Sequence, residues 1–569
     1  MKKTAIIFFV LMSMTILSQA QVSNPRSPAE WEEQQAIVMG FVPVSSHPDL
    51  PWDESVDPFV KVAEACINEN IKFYIFDGND ELYGVGDIIL DTVFSNRGIN
   101  SPLVEIIEVD YDVNPWLRDH GMFSVYENQV GDLHLYKYAD DNSYGDSISS
   151  RLNLPLAQMP YTANNSEFYY DGGNWLSDGH GTFNIAAVHE LDIIDNNTPL
   201  GMINNSIPQS NYLGVSQTLN VLGMDWHIDY YLKLLDEETL VVSYIPPSNA
   251  HPDVNPVPGE LEAWQHKIDT TMSMIGNHLQ SAFGRDFEII PIQNAPSDNS
   301  IPLNVTTLTN FATYTNSLII NKTVLVPQYL SQPYDQLALD AYEAAMPGYN
   351  IVGVNCRQFQ ESAGTIHCMT KEIYANDPIY IKHAWYEDTV YIGGDYPVEA
   401  TVMSNLGLSN VSMFWSTDPN GPYQDVAMSY TSGDKYVADI PHQSANTTIY
   451  YYIAATDNNL KTISKPFVAP DGVYQFVAGG GTTDVADLNT SNNIKIYPNP
   501  TSGIIYISDI ISDKADITII SPSGRVIDKI KANGNNLNVD MQKYGIATGI
   551  YFVKIQDENG YFVYKIMFK

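Results

Sequence analysis

The residues best suited to chemistry are a late cysteine and three polar groups far from it along the chain. Cys368 closes Gly364-Thr365-Ile366-His367-Cys368, a small and polar approach to a thiol. His227 and Asp229 stand two apart in Asp225-Trp226-His227-Ile228-Asp229, and Asp119 follows Trp116-Leu117-Arg118. A thiol attacks as its thiolate, and a nearby histidine can move the protons of a displacement. Carboxylates at such a site raise the thiol's pKa, so a cation must offset them, either a protonated His227 or a cationic substrate. If 227–229 is extended, the two-residue side-chain period puts His227 and Asp229 on one face. Taken alone, H-x-D is also the pattern of a metal-ligand pair or a surface pair. A metal would need further ligands, and neither H-x-x-x-H nor C-x-x-C occurs. His367 would point to the opposite face of a strand from Cys368 and reads as structural.

The elements that must position these groups alternate between helix and strand. The spacing predicts a helix over 59–68, then a strand over 72–76. Leu261, Trp264, Ile268, Met272, Ile275, Leu279 and Phe283 recur at three- and four-residue steps, which predicts a helix over 259–284 followed by a strand at 287–292. Residues 316–327 read as a hairpin turning at Asn321-Lys322, 335–346 as a helix stopped by Pro347-Gly348, and 351–355 as a strand. This alternation predicts an α/β domain over 21–376, with no internal repeat evident. From 377 short alternating strands take over, predicting an immunoglobulin- or fibronectin-like β-sandwich over 377–478. Residues 479–493 are rich in Gly, Thr and Asn and read as a linker, and 494–569 as a small all-β module.

The 569 residues hold 28 basic and 67 acidic side chains, a formal charge of -39. Nucleic acid is a poor partner for such a surface, and cationic ligands a good one. Lys2 and Lys3, the apolar run Ala5 to Leu17 and Ser18-Gln19-Ala20 form a secretory leader over 1–20, with no membrane span expected in the mature chain. The three cysteines make no disulfide framework, and Cys66 and Cys356 read as core.

Several motifs occur in a fixed order: Pro28-Ala29-Glu30-Trp31-Glu32, Trp116-x-Arg118-Asp119-x-Gly121, Asp171-Gly172-Gly173-Asn174, Gly223-x-Asp225-x-His227-x-Asp229, Tyr314-Thr315-Asn316 and Gly364-x-Ile366-His367-Cys368. Together they resemble the agmatine deiminase and bacterial, Porphyromonas-like peptidylarginine deiminase family. The resemblance implies a five-bladed α/β propeller (pentein) of ββαβ units that needs neither cofactor nor metal. It implies Cys368 as nucleophile and His227 as general acid/base. Asp119 and Asp229 would grip the guanidinium, Asn316 and Trp116 would line the site, and Asp171 would supply an acidic position near it. The implied reaction is peptide or protein arginine to citrulline, with agmatine to carbamoylputrescine as the alternative enzyme reading. A non-enzymatic alternative is an inactive propeller serving as a surface adhesin. Relatives selective for C-terminal arginine place an arginine pair where Asp140 and Asp141 align, which leaves Arg151 as a substitute anchor. In the last module Tyr497-Pro498-Asn499-Pro500-Thr501-Ser502-Gly503 and Gly549-Ile550-Tyr551-Phe552-Val553 resemble the sorting domain read by the type IX secretion machinery of Bacteroidetes. That resemblance implies a secreted or outer-membrane-surface protein.

Overall fold

The apolar runs between residues 34 and 374 pair into five separate sheets, taken in chain order. The computed structural model describes residues 22–41, 55–78, 90–137, 144–158, 172–188, 203–204, 213–216, 218–222, 227–245, 260–295, 312–362, 364–390, 394–479, 494–499, 501, 503–508, 515–521, 526–532, 534–544, 546, 549–557 and 560–569. The leader, Asp140, Asp141, Asp171, Asp225, Trp226 and 480–493 lie outside the described residues.

The second, fourth and fifth sheets repeat one plan. An antiparallel pair comes first, a helix crosses over, and a third strand adds in parallel. The second sheet uses Gly121–Tyr126, Leu133–Lys137 and Leu156–Gln158, with the helix Tyr144–Leu152 as its crossover. The fourth uses Leu232–Leu234, Thr239–Tyr244 and Glu288–Gln293 around Glu260–His278. The fifth uses Leu318–Ile320, Thr323–Gln328 and Asn350–Asn355 around Tyr334–Ala345. The third pairs Leu176–Ser177 antiparallel and Thr218–Leu222 parallel with Asn184–Val188, and much of its connection lies outside the described residues. A crossover is required because no hairpin turn can join parallel strands.

The first sheet draws its opening strand from the far end of the region. Thr370–Tyr374 pairs antiparallel with Gln34–Phe41, which continues through the helix Asp57–Asn68 to the parallel strand Lys72–Asp77. The strand that joins the two ends of this region therefore begins two residues after Cys368. The internal ββαβ repeat is invisible in the sequence because its copies share only a polar and apolar order that any α/β chain shows.

The helix at 57–68 buries Phe59, Val62, Ala63 and Cys66 on one face, and Cys356 is buried in the same core. Burial pushes both thiols up, so both act as core filler. The helix expected over 259–284 ends at His278. Beyond it the Gly284 N–H donates to the Ser281 carbonyl, with Gly284 in the left-handed region that favours glycine.

After residue 378 the described structure is built of strands, apart from the single 3-10 turn Met541–Tyr544. One antiparallel sheet contains Ile379–Lys382, Tyr396–Ser404 and Lys435–Ile440; another pairs Leu408–Ser416 with Thr448–Asp457, which alternates buried and half-buried residues throughout. Lys461 and Lys465 pair with Glu33 and Glu237 of the α/β part. Residues 494–569 form two further antiparallel sheets, one of them including Leu537–Asp540, which suits the all-β module expected there. The chain divides into two compact units: Met1–Asp388 with Pro397–Ile440 and Thr448–Phe476, and Thr389–Tyr396 with Pro441–Thr447 and Val477–Lys569. Among the described residues no helix is long and apolar enough to cross a membrane.

Candidate active site

Each of the five sheets has a short turn just before its opening strand; Asp119, Asp229, Asn316 and Cys368 sit on these turns, with Trp116 and His227 just before theirs. Leu117–His120 precedes Gly121–Tyr126, Gly172–Asn174 precedes Leu176–Ser177, and Ile228–Tyr230 precedes Leu232–Leu234. Residues 313–317 precede Leu318–Ile320, and the single helical turn Ile366–Met369 precedes Thr370–Tyr374. The turn at 366–369 touches those at 117–120 and 172–174, which in turn touches 228–230. The structural repeat thus brings together residues as far apart in sequence as Trp116 and Cys368.

Asn316 ties the thiol in place. Its Nδ2 donates to Cys368 Sγ at 3.1 Å, while its Oδ1 accepts from the Thr365 N–H at 3.0 Å, the Thr365 hydroxyl at 2.9 Å and the Cys368 N–H at 3.3 Å. Cys368 Sγ also lies 3.4 Å from Asp229 Oδ2. Burial, then the Asp229 carboxylate, push the Cys368 thiol up to about 12, against the lowering effect of its hydrogen bond with His227. The expectation that neighbouring carboxylates raise this thiol matches that shift.

Asp229 is fully buried and stays ionised. Burial alone would raise its pKa, but the hydrogen bond and charge of His367, with His227 and Arg118 beyond, hold it below the usual carboxylate range. His367 Nδ1 lies 2.6 Å from Asp229 Oδ2, and its Nε2 lies 3.1 Å from Glu30 Oε2. Glu30 also accepts from Lys233 Nζ, which donates to the Ser317 carbonyl at 2.8 Å. Burial would raise Glu30 as well, and Lys233 and His367 hold it well below the carboxylate range. Asp229 Oδ1 is buried and makes no hydrogen bond among the described residues.

His227 is partly exposed, with Nδ1 3.7 Å from Asp119 Oδ1. A Cβ on Gly173 would lie 2.3 Å from that Nδ1, so only glycine fits beneath the ring. Asn174 Oδ1 accepts the Ile228 N–H at 3.0 Å and fixes the same turn. Gly364 is constrained less severely, since a Cβ there would lie 3.0 Å from both Cys368 Sγ and Trp116 Cζ3. Arg118 donates to the His367 carbonyl at 2.5 Å and pairs with Glu372 at 2.7 Å. It therefore braces the turn that carries Cys368 from the strand that follows it.

The structure brings Cys368, His227, Asp229, Asp119, Asn316 and Trp116 to one place, and Asp171 lies outside the described residues. Two expectations are corrected. His227 and Asp229 do not lie on an extended strand: His227 is extended, but Ile228–Tyr230 is a 3-10 turn. His367 is not on a strand facing away from Cys368. It shares a helical turn with the thiol and reaches Asp229 because Thr365 and Asn316 start that turn. Glu30, Asn174, Glu372 and Lys233 were not singled out for roles. Glu30, in Pro28-Ala29-Glu30-Trp31-Glu32, and Asn174, in Asp171-Gly172-Gly173-Asn174, had a legible signal as members of ordered motifs. Arg151 is engaged by Glu105 at 2.8 Å and Ser147 at 2.6 Å. The metal alternative gains the ligand it lacked in sequence: a nitrogen of His227, an oxygen of Asp229 and the sulfur of Cys368 lie within 4.8 Å of one another.

Residues 26–373 match the family model of the Porphyromonas-type peptidyl-arginine deiminase, and 495–569 match that of the secretion system C-terminal sorting domain. A Legionella pneumophila (strain Paris) protein named "Putative agmatine deiminase" is 23% identical over 284 residues, 47% of this chain and 75% of its own. A Vibrio parahaemolyticus protein of the same name is 39% identical over 64 residues, 11% of this chain and 18% of its own. A solved structure titled "Agmatine deiminase of Enterococcus faecalis catalyzing its reaction" aligns with a TM-score of 0.45 at 20% identity, covering 62% of this chain and 96% of that one. The sorting domain marks the chain for export to the surface or beyond. With the family model spanning well over half its length, the chain belongs to the Porphyromonas-type peptidyl-arginine deiminase family.

Proposed function

We propose that this chain is an exported deiminase that converts peptide- or protein-bound arginine to citrulline and ammonia, without cofactor or metal. The observation that carries the reading is the buried Asp229: it is ionised, its Oδ1 takes no hydrogen bond among the described residues, and its Oδ2 is 3.4 Å from the Cys368 thiol. A guanidinium is a planar, permanently charged fork of N–H donors that suits two carboxylates. Asp229 and Asp119 grip it so that its central carbon faces Cys368, while Trp116 walls its alkyl chain. The bound cation offsets the carboxylates that raise the thiol, and the Cys368 proton passes to His227 as the charge arrives.

The thiolate then adds to the guanidinium carbon and breaks the C–N bond to one nitrogen. His227 delivers the proton that lets this nitrogen leave as ammonia, and an amidino-thioether on Cys368 remains. Water attacks the same carbon and loses its proton to His227. The C–S bond breaks, and the ureido product leaves. Asn316 holds the thiol, and Asp171 supplies a further acidic position near the site. The five sheets in chain order, with Thr370–Tyr374 returning to Gln34–Phe41, support a five-bladed propeller (pentein) with the site where its turns converge.

A second reading, an agmatine deiminase, is favoured by the names of the curated relatives. The test is a panel of C-terminal arginine peptide, internal arginine peptide, free arginine and agmatine, run with a chelator and read as ureido product plus ammonia. Peptide turnover is expected to dominate. Preference for agmatine replaces the first reading with the second, and no product from any of the four sinks both.

A further inference from the structure

We infer that the catalytic cluster is also a binding site for a divalent metal of the zinc class, and that this metal excludes the substrate. The competition rests on the deiminase reading; the binding itself rests on the ligand set alone. His227, Asp229 and Cys368 present nitrogen, oxygen and sulfur within 4.8 Å of one another, the three donor types that zinc accepts. A tetrahedral ion with bonds of about 2.0–2.3 Å needs its ligand atoms roughly 3.3–3.8 Å apart. Cys368 Sγ and Asp229 Oδ2 already stand at 3.4 Å. The contraction therefore falls on His227, whose side chain is 21% exposed while Asp229 is fully buried. The shift needed is about 1 Å, within reach of a ring at the partly open edge of the site.

The surroundings fit a resident cation in two further ways. Asp119 faces Nδ1 of the His227 ring, and a carboxylate behind a ligating histidine is the usual outer shell of such metals. Asp229 Oδ1, buried and without a hydrogen bond among the described residues, offers a second oxygen to an incoming charge. Binding replaces the Cys368 S–H bond by a sulfur–metal bond and releases one proton to solvent. Three protein ligands leave a fourth position for water. A guanidinium cannot reach the Asp229 and Cys368 atoms while the ion holds them, so the metal acts as a reversible inhibitor.

The experiment uses the full chain, first stripped with chelator, and Co2+ as the probe. One equivalent is expected to produce a thiolate-to-cobalt charge-transfer absorption and the visible bands of a tetrahedral site, both bleached by added Zn2+. Cys66→Ser and Cys356→Ser should keep the absorption and Cys368→Ser should abolish it; persistence in Cys368→Ser overturns the inference. Asp119→Asn should weaken binding about 10–100-fold. With turnover measured in parallel, Zn2+ should raise the apparent KM and leave kcat intact at saturating substrate. Inhibition that ignores substrate concentration overturns the competition. Turnover in chelator without a cobalt absorption overturns the metal site and keeps the deiminase reading. A cobalt absorption with no product from any guanidine keeps the metal site and overturns the deiminase reading.

Discussion

The α/β part and the C-terminal module treat charge in opposite ways. In residues 494–569 the core is Ile505, Ile517, Ile519, Val553, Ile555 and similar side chains, and Thr501 is the only buried polar residue among those described. An ion pair of this module, Lys543 with Asp528, lies at the surface. The α/β part instead buries Arg118, Asp229, Lys233, His367, Lys371 and Glu372. Each buried ion costs several kcal/mol that its partners must offset. The module shows that stable packing in this chain does not require that cost. The buried charges therefore track position rather than fold: they run from Lys233 through Glu30 and His367 to Asp229, and end at the thiol.

If that contrast is functional, damage to the charged chain should cost rate before it costs anything else. The largest effect is expected for Cys368→Ser, a fall in kcat of roughly 10⁴–10⁶-fold with the fold intact by circular dichroism. His367→Ala leaves both Glu30 and Asp229 without a partner they now have. It should lower kcat about 10²–10³-fold and destabilise the α/β part by about 3–5 kcal/mol in urea unfolding. A stable variant with normal kcat would show that His367 is packing and that the charged chain does not position Asp229. Gly173→Ala should cost about 10²-fold in kcat with little change in stability, because a Cβ there displaces the His227 ring. Unchanged kcat would remove His227 from the mechanism.

The parts of this arrangement legible in the sequence are those carried by local pattern. The helix at 57–68, the hairpin turning at Asn321 and the alternating strands of 494–569 follow from period and turn chemistry. Cys368, His227, Asp229, Asp119 and Asn316 were legible only as members of an ordered motif set. The ββαβ repeat was not legible, because strand pairing is a long-range choice that leaves little mark on any one copy. His367 was missed for a related reason. A four-residue helical turn has too short a period to show, and its start is set by Asn316, about fifty residues upstream. Glu30 and Lys233 look like ordinary surface charges until folding buries them together.

Acid separates the two regions on a milder scale. Burial would raise Glu372, but Arg118 and Lys371 outweigh it and hold the carboxyl at about 2; Asp229 and Glu30 are held down likewise. A carboxyl depressed by folding binds fewer protons folded than unfolded, so its stabilising effect is complete above the unfolded pKa of about 4. That stability is lost as pH falls from there toward about 2, where Glu372 itself takes up a proton. Hydrogen exchange at pH 3 should therefore show Thr370–Tyr374 opening while Ala515–Ile520 stays protected. Equal loss in both segments would break the comparison.

The smallest effect tests the module's side. Ile517 is fully buried and stands between Ile530 and Ile555 in its sheet. Ile517→Val removes one methylene, and the loss of transfer energy plus a small cavity should cost about 0.5–1.5 kcal/mol. That cost should appear as faster amide exchange over Ala515–Ile520, with kcat unchanged. No charge is buried there whose partner could be orphaned, so the damage has no electrostatic route to a thiol. A fall in kcat from this one methylene would mean that the module's packing is coupled to the site, and that the division between a region built to hold charge and a region built only to pack is wrong.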